Sequence, residues 1–273
     1  MSSDYSSRLR EQLAAYKRLK LVRIDDRVAG RGAAPSSHVL DRESARSNIL
    51  PLIRERFWSW FDAQSPAIAL HESFHHLDST QAMAFNLFFP FLSEGNVDRR
   101  LLGVLGLAGR DYRGHFGKVL DETEGTAFEL CLEAASGEKI FVDLKLAEAA
   151  FGSCADDEHQ RQRLERQYLP HLQGHVDQKW LQPKTFFGNH QVMRKLSYLG
   201  RYPDSGIVFI LPKANDQLKD AEENLKHIVS KTLAPRVAIL YLEYLVEKIL
   251  AATANDATLH AHFLELRDKY VCL

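Results

Sequence analysis

This sequence has few cysteines, a net charge close to zero and no long apolar run. Its 273 residues include three cysteines, Cys131, Cys154 and Cys272. They form no close pair, which fits a reducing cytoplasm better than a disulfide framework. No apolar run approaches the roughly 20 residues that span a bilayer, and the opening residues lack the apolar region of a signal peptide. We therefore expect a cytoplasmic protein without a membrane association.

The charge balance and the missing motifs exclude further classes of protein. The formal net charge of -1 gives no global attraction to DNA, so any nucleic-acid surface has to be a local basic patch. The glycine-rich loops that cradle nucleotide phosphates, G-x4-G-K-[ST] and G-x-G-x-x-G, do not occur. The length suits one elaborated domain. We predict an N-terminal helix and flexible loop over 1–40, followed by a single α/β domain over 41–273.

The most informative segment runs over 126–148 and predicts a β-hairpin. Apolar and polar residues alternate in both of its arms, which is the period of a half-buried strand. Between the arms, Ala135-Ser136-Gly137 suits a three-residue loop in which Gly137 takes the left-handed conformation. This register places Glu129 directly opposite Asp143, and Lys145 follows two residues later on the same face.

Two carboxylates and a lysine on one face suit metal-dependent phosphodiester chemistry. Glu129 and Asp143 would repel each other unless a cation lies between them, and Mg²⁺ prefers oxygen ligands. The metal would polarise a phosphate and lower the pKa of a bound water. Lys145 would position the nucleophile or stabilise negative charge on the phosphate oxygens. The spacing alone is common, and a surface hairpin with solvated charges produces the same pattern.

The rest of the chain reads as alternating helices and strands, which indicates an α/β fold. We predict a strand around 117–121, a buried strand over 206–212 and another over 236–241. An Asp78-x-x-Gln81 capping box is expected to open the helix over 79–92. Further helices are predicted over 4–20, 44–62, 156–167, 189–199, 214–230 and 260–270.

The hairpin resembles the core of the PD-(D/E)XK nuclease superfamily, the restriction-endonuclease-like fold. Asp143-Leu144-Lys145 matches the (D/E)-x-K element, whereas Glu129 stands where the superfamily usually has Asp and Phe128 stands where it has Pro. The chain is further similar, over about 70–270, to a group of predicted bacterial restriction-endonuclease-like proteins. The shared features are the helix STQAMAFNLF over 79–88, the K-x-x-E-x-x-F-G segment over 145–152 and the helix NHQVMR over 189–194.

This resemblance implies a fold and a set of site residues. The fold is an α-βββ-α-β core, with a mixed central sheet flanked by helices and with N-terminal helical additions. The implied activity is cleavage of DNA with Mg²⁺, or with Mn²⁺ in its place, and a homodimer would suit cutting of both strands. The resemblance implies metal binding and catalysis by Glu129 and Asp143 with Lys145, and support by Glu122 and Gln191. From their positions in the sequence, Glu148 is a further supporting candidate, and Arg194 and Lys195 are candidates for contact with phosphate.

Two alternatives to the nuclease stay open. The fold could serve as a non-cleaving nucleic-acid-binding or structural module. The segment His71-Glu72-Ser73-Phe74-His75 is also a literal H-E-x-x-H, in which His71 and His75 on a helix would bind Zn²⁺ with Glu72 as the general base of a peptidase. Asp78 follows so closely as a predicted helix cap that little room remains for a zinc-binding helix, and a His-rich turn fits the segment as well.

Overall fold

A seven-stranded mixed sheet forms the centre of the molecule in a computed structural model, which describes residues 4–21, 38–64, 68–120 and 125–272. The strands follow one another across the sheet in chain order. Neighbours from β1 to β5 are antiparallel, whereas β5, β6 and β7 are parallel. The strands are β1 (Leu92–Ser93), β2 (Asn96–Val97), β3 (Tyr112–Phe116), β4 (Leu130–Ala134), β5 (Lys139–Leu144), β6 (Gly206–Leu211) and β7 (Val237–Tyr241).

Helices cover both faces of this sheet. Three antiparallel strands, a long helix and a parallel strand follow an N-terminal helical part, which confirms the predicted α-βββ-α-β order and the α/β class. The α-helices of the described residues are α1 (Tyr5–Tyr16), α2 (Pro51–Gln64), α3 (Thr80–Phe88), α4 (Arg99–Val104), α5 (Glu158–Arg163), α6 (Leu169–Leu172), α7 (Pro183–Gly188), α8 (His190–Arg201), α9 (Lys219–Ile228), α10 (Leu242–Ala252) and α11 (Ala257–Tyr270).

The β4–β5 hairpin has the predicted register and loop. Leu130 pairs with Val142, so the same register carried one step further places Glu129 opposite Asp143. The loop closes through the Ala134 N–H, which donates to the Glu138 carbonyl at 2.9 Å. Within the loop, Gly137 has a φ of +89°, which glycine adopts without steric cost.

The prediction of a half-buried hairpin is wrong, because both faces of the sheet are covered. Leu130 and Val142 pack into one core, while Cys131 and Phe141 pack into a second core beneath α8. Phe128, expected on the face of Leu130, instead stacks on Phe141 with ring centroids 4.6 Å apart. The functional hairpin is therefore a central element, and its polar side chains lie inside the protein.

Helix beginnings differ in detail from the predicted ones. The helix expected over 44–62 is divided into a 3-10 helix, Arg42–Asn48, and α2, which starts at Pro51. Proline suits the first position of a helix and keeps the residue before it extended, so the chain breaks there. The cap of α3 is Ser79, which accepts from the Ala82 N–H, so the predicted Asp78 capping box is wrong.

The first long strand lies earlier than predicted. β3 ends at Phe116, and Gly117 follows in a turn with a φ of +56°, so the strand expected over 117–121 is displaced toward the N-terminus. Asp121 itself lies outside the described residues. The strands predicted over 206–212 and 236–241 are confirmed as β6 and β7, and the buried β6 lies between β5 and β7.

The N-terminal helix packs onto the C-terminal one. Leu9 and Leu13 of α1 are fully buried in the core. The Gln12 side chain donates to the Asp268 carbonyl at 3.0 Å, and the Tyr16 hydroxyl donates to Glu265 at 2.8 Å. Among the described residues, no helix has the length and apolar character to cross a membrane.

Candidate active site

Asp143 is a buried carboxylate near the end of β5. Its Oδ1 accepts a hydrogen bond from Lys195 Nζ of α8. Its Oδ2 has no hydrogen-bond partner, and Lys145 Nζ lies 3.9 Å from it. Because a buried acceptor without a partner is costly, Asp143 Oδ2 is an oxygen suited to receive a further cation.

Glu129 approaches the same point from the neighbouring strand. Its Oε2 accepts from the Leu144 N–H at 3.3 Å and lies 4.0 Å from Lys195 Nζ. The Glu129 side chain is 21% exposed, whereas the Asp143 side chain is fully buried. The two carboxylates thus share one lysine, and Glu129 is the member of the pair that reaches solvent.

The surroundings shift the pKa values of the two carboxyls in opposite directions. Burial raises the pKa of Glu129 to about 7, because the charge of Lys195 only partly offsets it and Asp143 adds negative charge. Burial also raises the pKa of Asp143, but Lys145 and Lys195 outweigh it and hold that pKa below its ordinary value. Burial lowers the pKa of Lys145, and the charges of Asp143 and Glu148 outweigh it, so the net shift is upward. Near neutral pH the site therefore holds an ionised Asp143, a Glu129 close to its titration point and a protonated Lys145.

Lys195 is a residue whose position the sequence interpretation missed. It was expected to contact phosphate at the surface, but it is only 6% exposed and binds Asp143, so that expectation is corrected. The available signal was helical spacing, because Lys195 lies three residues after Val192 and four before Leu199, both of which are buried. A lysine at such a position needs a buried partner of opposite charge.

Lys145 and Glu148 border the carboxylate pair. The Lys145 side chain is 12% exposed, and its Nζ lies 6.0 Å from the centre of the Phe151 ring. Glu148 accepts from the Thr80 hydroxyl at 2.9 Å and from the Leu146 N–H at 2.6 Å. Glu148 thus ties the segment after β5 to the first turn of α3, beside the predicted site.

The other predicted supporting residues take different places. Gln191 lies one turn before Lys195 on α8, and its N–H donates to the Gly152 carbonyl at 3.2 Å. Arg194 is half-buried and donates to the Thr126 hydroxyl at 2.6 Å. Glu122 lies outside the described residues.

A cleft of about 620 Å³ opens beside the carboxylate pair. Glu129 and Glu148 line one part of it, and residues at the start of α3, including Ser79 and Thr80, line another. Asp143 stands behind Glu129 in the protein interior. A phosphate group entering the cleft would therefore meet Glu129 first.

The H-E-x-x-H motif does not have the geometry of a zinc peptidase. Its residues form turns, and the following helix begins only at Thr80. His71 Nδ1 lies 2.6 Å from the Ser73 hydroxyl, and the His71 N–H donates to Gln81. His71 and His75 therefore do not share a helical face, and the peptidase alternative lacks its structural basis.

The donor atoms of the pair fit a hard divalent cation. Glu129 and Asp143 offer carboxylate oxygens, one of them without a hydrogen bond. Over the described ranges, no third His, Cys, Asp or Glu side chain joins them at ligand distance. Mg²⁺ commonly uses one or two protein carboxylates and completes its shell with water and phosphate oxygens, so these two residues are a sufficient protein contribution.

The mixed sheet and the β4–β5 hairpin define a restriction-endonuclease-like protein. The model of the family described as "restriction endonuclease associating with ARP" matches residues 10–271. The chain belongs to this family. Neither a curated protein nor a solved structure matches it.

Proposed function

We propose that the chain is a metal-dependent nuclease that hydrolyses phosphodiester bonds in DNA. The observation that carries the proposal is the buried Asp143, which keeps one oxygen without a hydrogen bond while Glu129 stands opposite and Lys145 lies beside it. The family description, which names a restriction endonuclease, supports the same reaction class.

Each residue of the site has a chemical task in this proposal. Mg²⁺, or Mn²⁺ in its place, would supply Lewis acidity and an activated water when bound. Asp143 and Glu129 would hold the ion through their carboxylate oxygens. Lys145, kept protonated by Asp143 and Glu148, would orient the attacking water and stabilise charge on the phosphate oxygens.

Lys195 holds the carboxylates in place in this proposal. Its buried ammonium group neutralises Asp143 and fixes that side chain between β5 and α8. A buried charge without a partner is strongly unfavourable, so Lys195 keeps the acidic pair stable in the folded protein. We infer a positioning role for Lys195, whereas the half-buried Arg194 remains the candidate for contact with DNA phosphate.

Plasmid cleavage tests the proposal. Supercoiled DNA is incubated with Mg²⁺ or Mn²⁺ and with wild type, Asp143→Ala or Lys145→Ala. Lys139→Ala is the matched control, because Lys139 lies on the same strand but pairs with Glu133. We expect each site variant to lose at least about 100-fold in rate, since metal-assisted charge stabilisation amounts to several kcal/mol. Equal cleavage by all four proteins would eliminate the proposed site.

A non-cleaving nucleic-acid-binding module is the second candidate function. Lys195 already occupies one oxygen of Asp143, and the net charge of -1 offers no broad attraction to DNA. A gel-shift experiment with a short duplex separates the two functions. A retained complex that shows no cleavage with either metal would favour the binding module.

We also propose that the nuclease is cytoplasmic and that it forms a homodimer. We place the nuclease in the cytoplasm, where its three free cysteines would stay reduced. A homodimer would bring two sites to the two strands of one duplex. Sedimentation of the protein with and without a DNA duplex tests this assembly, and a protein that stays monomeric in both conditions would contradict it.

A further inference from the structure

A group of metal-ligating side chains lies apart from the carboxylate pair. It consists of His38, His76 and Asp78, whose ligand atoms all fall within 4.8 Å of one another. Within the part of the chain that the structure describes, no other group of three or more His, Cys, Asp or Glu residues meets this spacing. His76 and Asp78 also line the cleft that Glu129 and Glu148 border.

Backbone pairing holds the two histidines in place. The Leu77 N–H donates to the His38 carbonyl at 3.0 Å, and the Leu40 N–H donates to the His75 carbonyl at 2.9 Å. The buried Asn48 side chain donates to the His76 carbonyl at 2.7 Å. The ligands therefore lie on a fixed frame, which reduces the entropy lost when they bind an ion.

Asp78 is fixed by its position before α3 and by Arg10. The Ser79 N–H that follows it donates to the His76 carbonyl at 3.0 Å. Arg10 Nε donates to Asp78 Oδ2 at 3.1 Å, and His38 Nε2 lies 3.4 Å from the same oxygen. A ligating carboxylate is commonly held by such a hydrogen bond from outside the metal shell. The Arg10 side chain is 52% exposed, so water screens its charge.

We propose that His38, His76 and Asp78 bind a divalent transition-metal ion of the Zn²⁺ type. Two imidazoles and one carboxylate are a donor set that Zn²⁺ accepts, whereas Mg²⁺ prefers oxygen ligands alone. Three protein ligands leave a fourth position for water or for a group that enters the cleft. The site is separate from the pair Glu129 and Asp143 and does not depend on the proposed cleavage reaction.

Zn²⁺ titration of the full chain tests this site. Protein stripped with a chelator is titrated with Zn²⁺ in a calorimeter, and the visible spectrum with Co²⁺ reports the geometry. Wild type is expected to bind one equivalent, and His38→Ala and Asp78→Asn are each expected to weaken binding at least about tenfold. His71→Ala and His75→Ala are matched controls, because these neighbouring histidines lie outside the group; they are expected to bind as wild type does.

Thermal unfolding separates a lost ligand from a damaged fold. Zn²⁺ is expected to raise the Tm of wild type and of the two control variants by more than that of His38→Ala or Asp78→Asn, since binding to the folded state stabilises it. His38→Gln gives a second variant of similar volume. Absence of Zn²⁺ binding by wild type, unchanged affinity in the ligand variants, or an equal loss in His71→Ala would overturn the proposal. The titration is run in excess Mg²⁺, which prefers the all-oxygen pair Glu129 and Asp143, so failure here is distinguishable from failure of the nuclease.

Discussion

Glu129 and Asp143 face each other on two strands, yet they hold protons with different strength. Asp143 has two lysines near its carboxylate, while burial dominates at Glu129 and places its pKa at about 7. A metal that needs both carboxylates must therefore displace a proton from Glu129 over the pH range in which cells operate. In the proposed site, Glu129, which stands where the superfamily usually has Asp, is therefore expected to couple metal binding to pH.

Metal binding by the carboxylate pair should strengthen as the pH rises through about 7. Because one proton leaves Glu129, the affinity for Mn²⁺ should fall about tenfold for each pH unit below that value. Electron paramagnetic resonance of free Mn²⁺ measures this, with His38→Ala as the background so that the second group does not contribute. Glu129→Gln should bind weakly at every pH. A wild-type affinity that does not vary between pH 6 and 8 would contradict the raised pKa.

The free energy of unfolding is expected to depend on pH through a second buried lysine, Lys269. Its Nζ donates to the carbonyl and side-chain oxygens of Asn48, and burial lowers its pKa well below the ordinary value. The unfolded chain then binds more protons than the folded one between the two pKa values, so the free energy of unfolding rises with pH there. The slope is about 1.4 kcal/mol per pH unit for one proton.

Lys269→Met should remove this pH dependence. Urea unfolding at a series of pH values measures the free energy of unfolding of wild type and variant. The variant is expected to show a flatter curve, whatever stability it loses with the hydrogen bonds to Asn48. Parallel curves for the two proteins would show that Lys269 does not carry the effect.

At the scale of single elements, α8 connects the fold to the site. Its buried face covers the second side of the sheet, and Lys195 extends from that face to Asp143. Gly200, near the end of α8, packs so closely on α6 that an added Cβ would overlap the His171 carbonyl oxygen. The position of α8, and with it the position of Lys195, depends on this close approach.

Gly200→Ala should therefore destabilise the protein. Overpacking of a tight contact costs about 1–3 kcal/mol, and the overlapping atom is backbone that cannot rotate away. Gly103→Ala in α4 is the matched control, because no atom lies within 4 Å of its added Cβ. The control is expected to be neutral or more stable by up to about 1 kcal/mol, since alanine favours helix. Chemical denaturation compares the two; equal free energies of unfolding would contradict the close packing.

Local patterns predicted the hairpin well and its environment poorly. Alternation over 128–146 and the loop at Gly137 set the β4–β5 register, because a shift of one residue would exchange the two faces. The hairpin sequence could not predict that its second face would also be buried, since the helix that covers this face, α8, lies far along the chain. The cap at Ser79 was missed because Asp78 is an equally good capping residue, and a bond from Arg10 occupies it instead.

At the scale of the whole molecule, the cleft assembles distant parts of the chain. Arg10 comes from α1, His76 and Asp78 from the turns before α3, and Glu129 and Glu148 from the hairpin and its exit. Sequence spacing predicted the pair Glu129 and Asp143, but it could not predict that His76 and Asp78 would line the same cleft. The His38 group was not predicted because its first member is distant in the sequence and is brought beside the others by backbone pairing.

The most direct test of the central claim is the rate of Mg²⁺-dependent plasmid nicking by Glu129→Gln relative to Glu133→Gln. Both residues lie on the same hairpin arm, but Glu133 binds Lys118 and Lys139 away from the site. Both ion pairs are partly buried, and the glutamine of Glu133→Gln still accepts a hydrogen bond from a lysine, so the fold is expected to tolerate this change. The account predicts that Glu129→Gln loses at least about 100-fold in rate while Glu133→Gln keeps the wild-type rate. Equal rates for the two variants would contradict it.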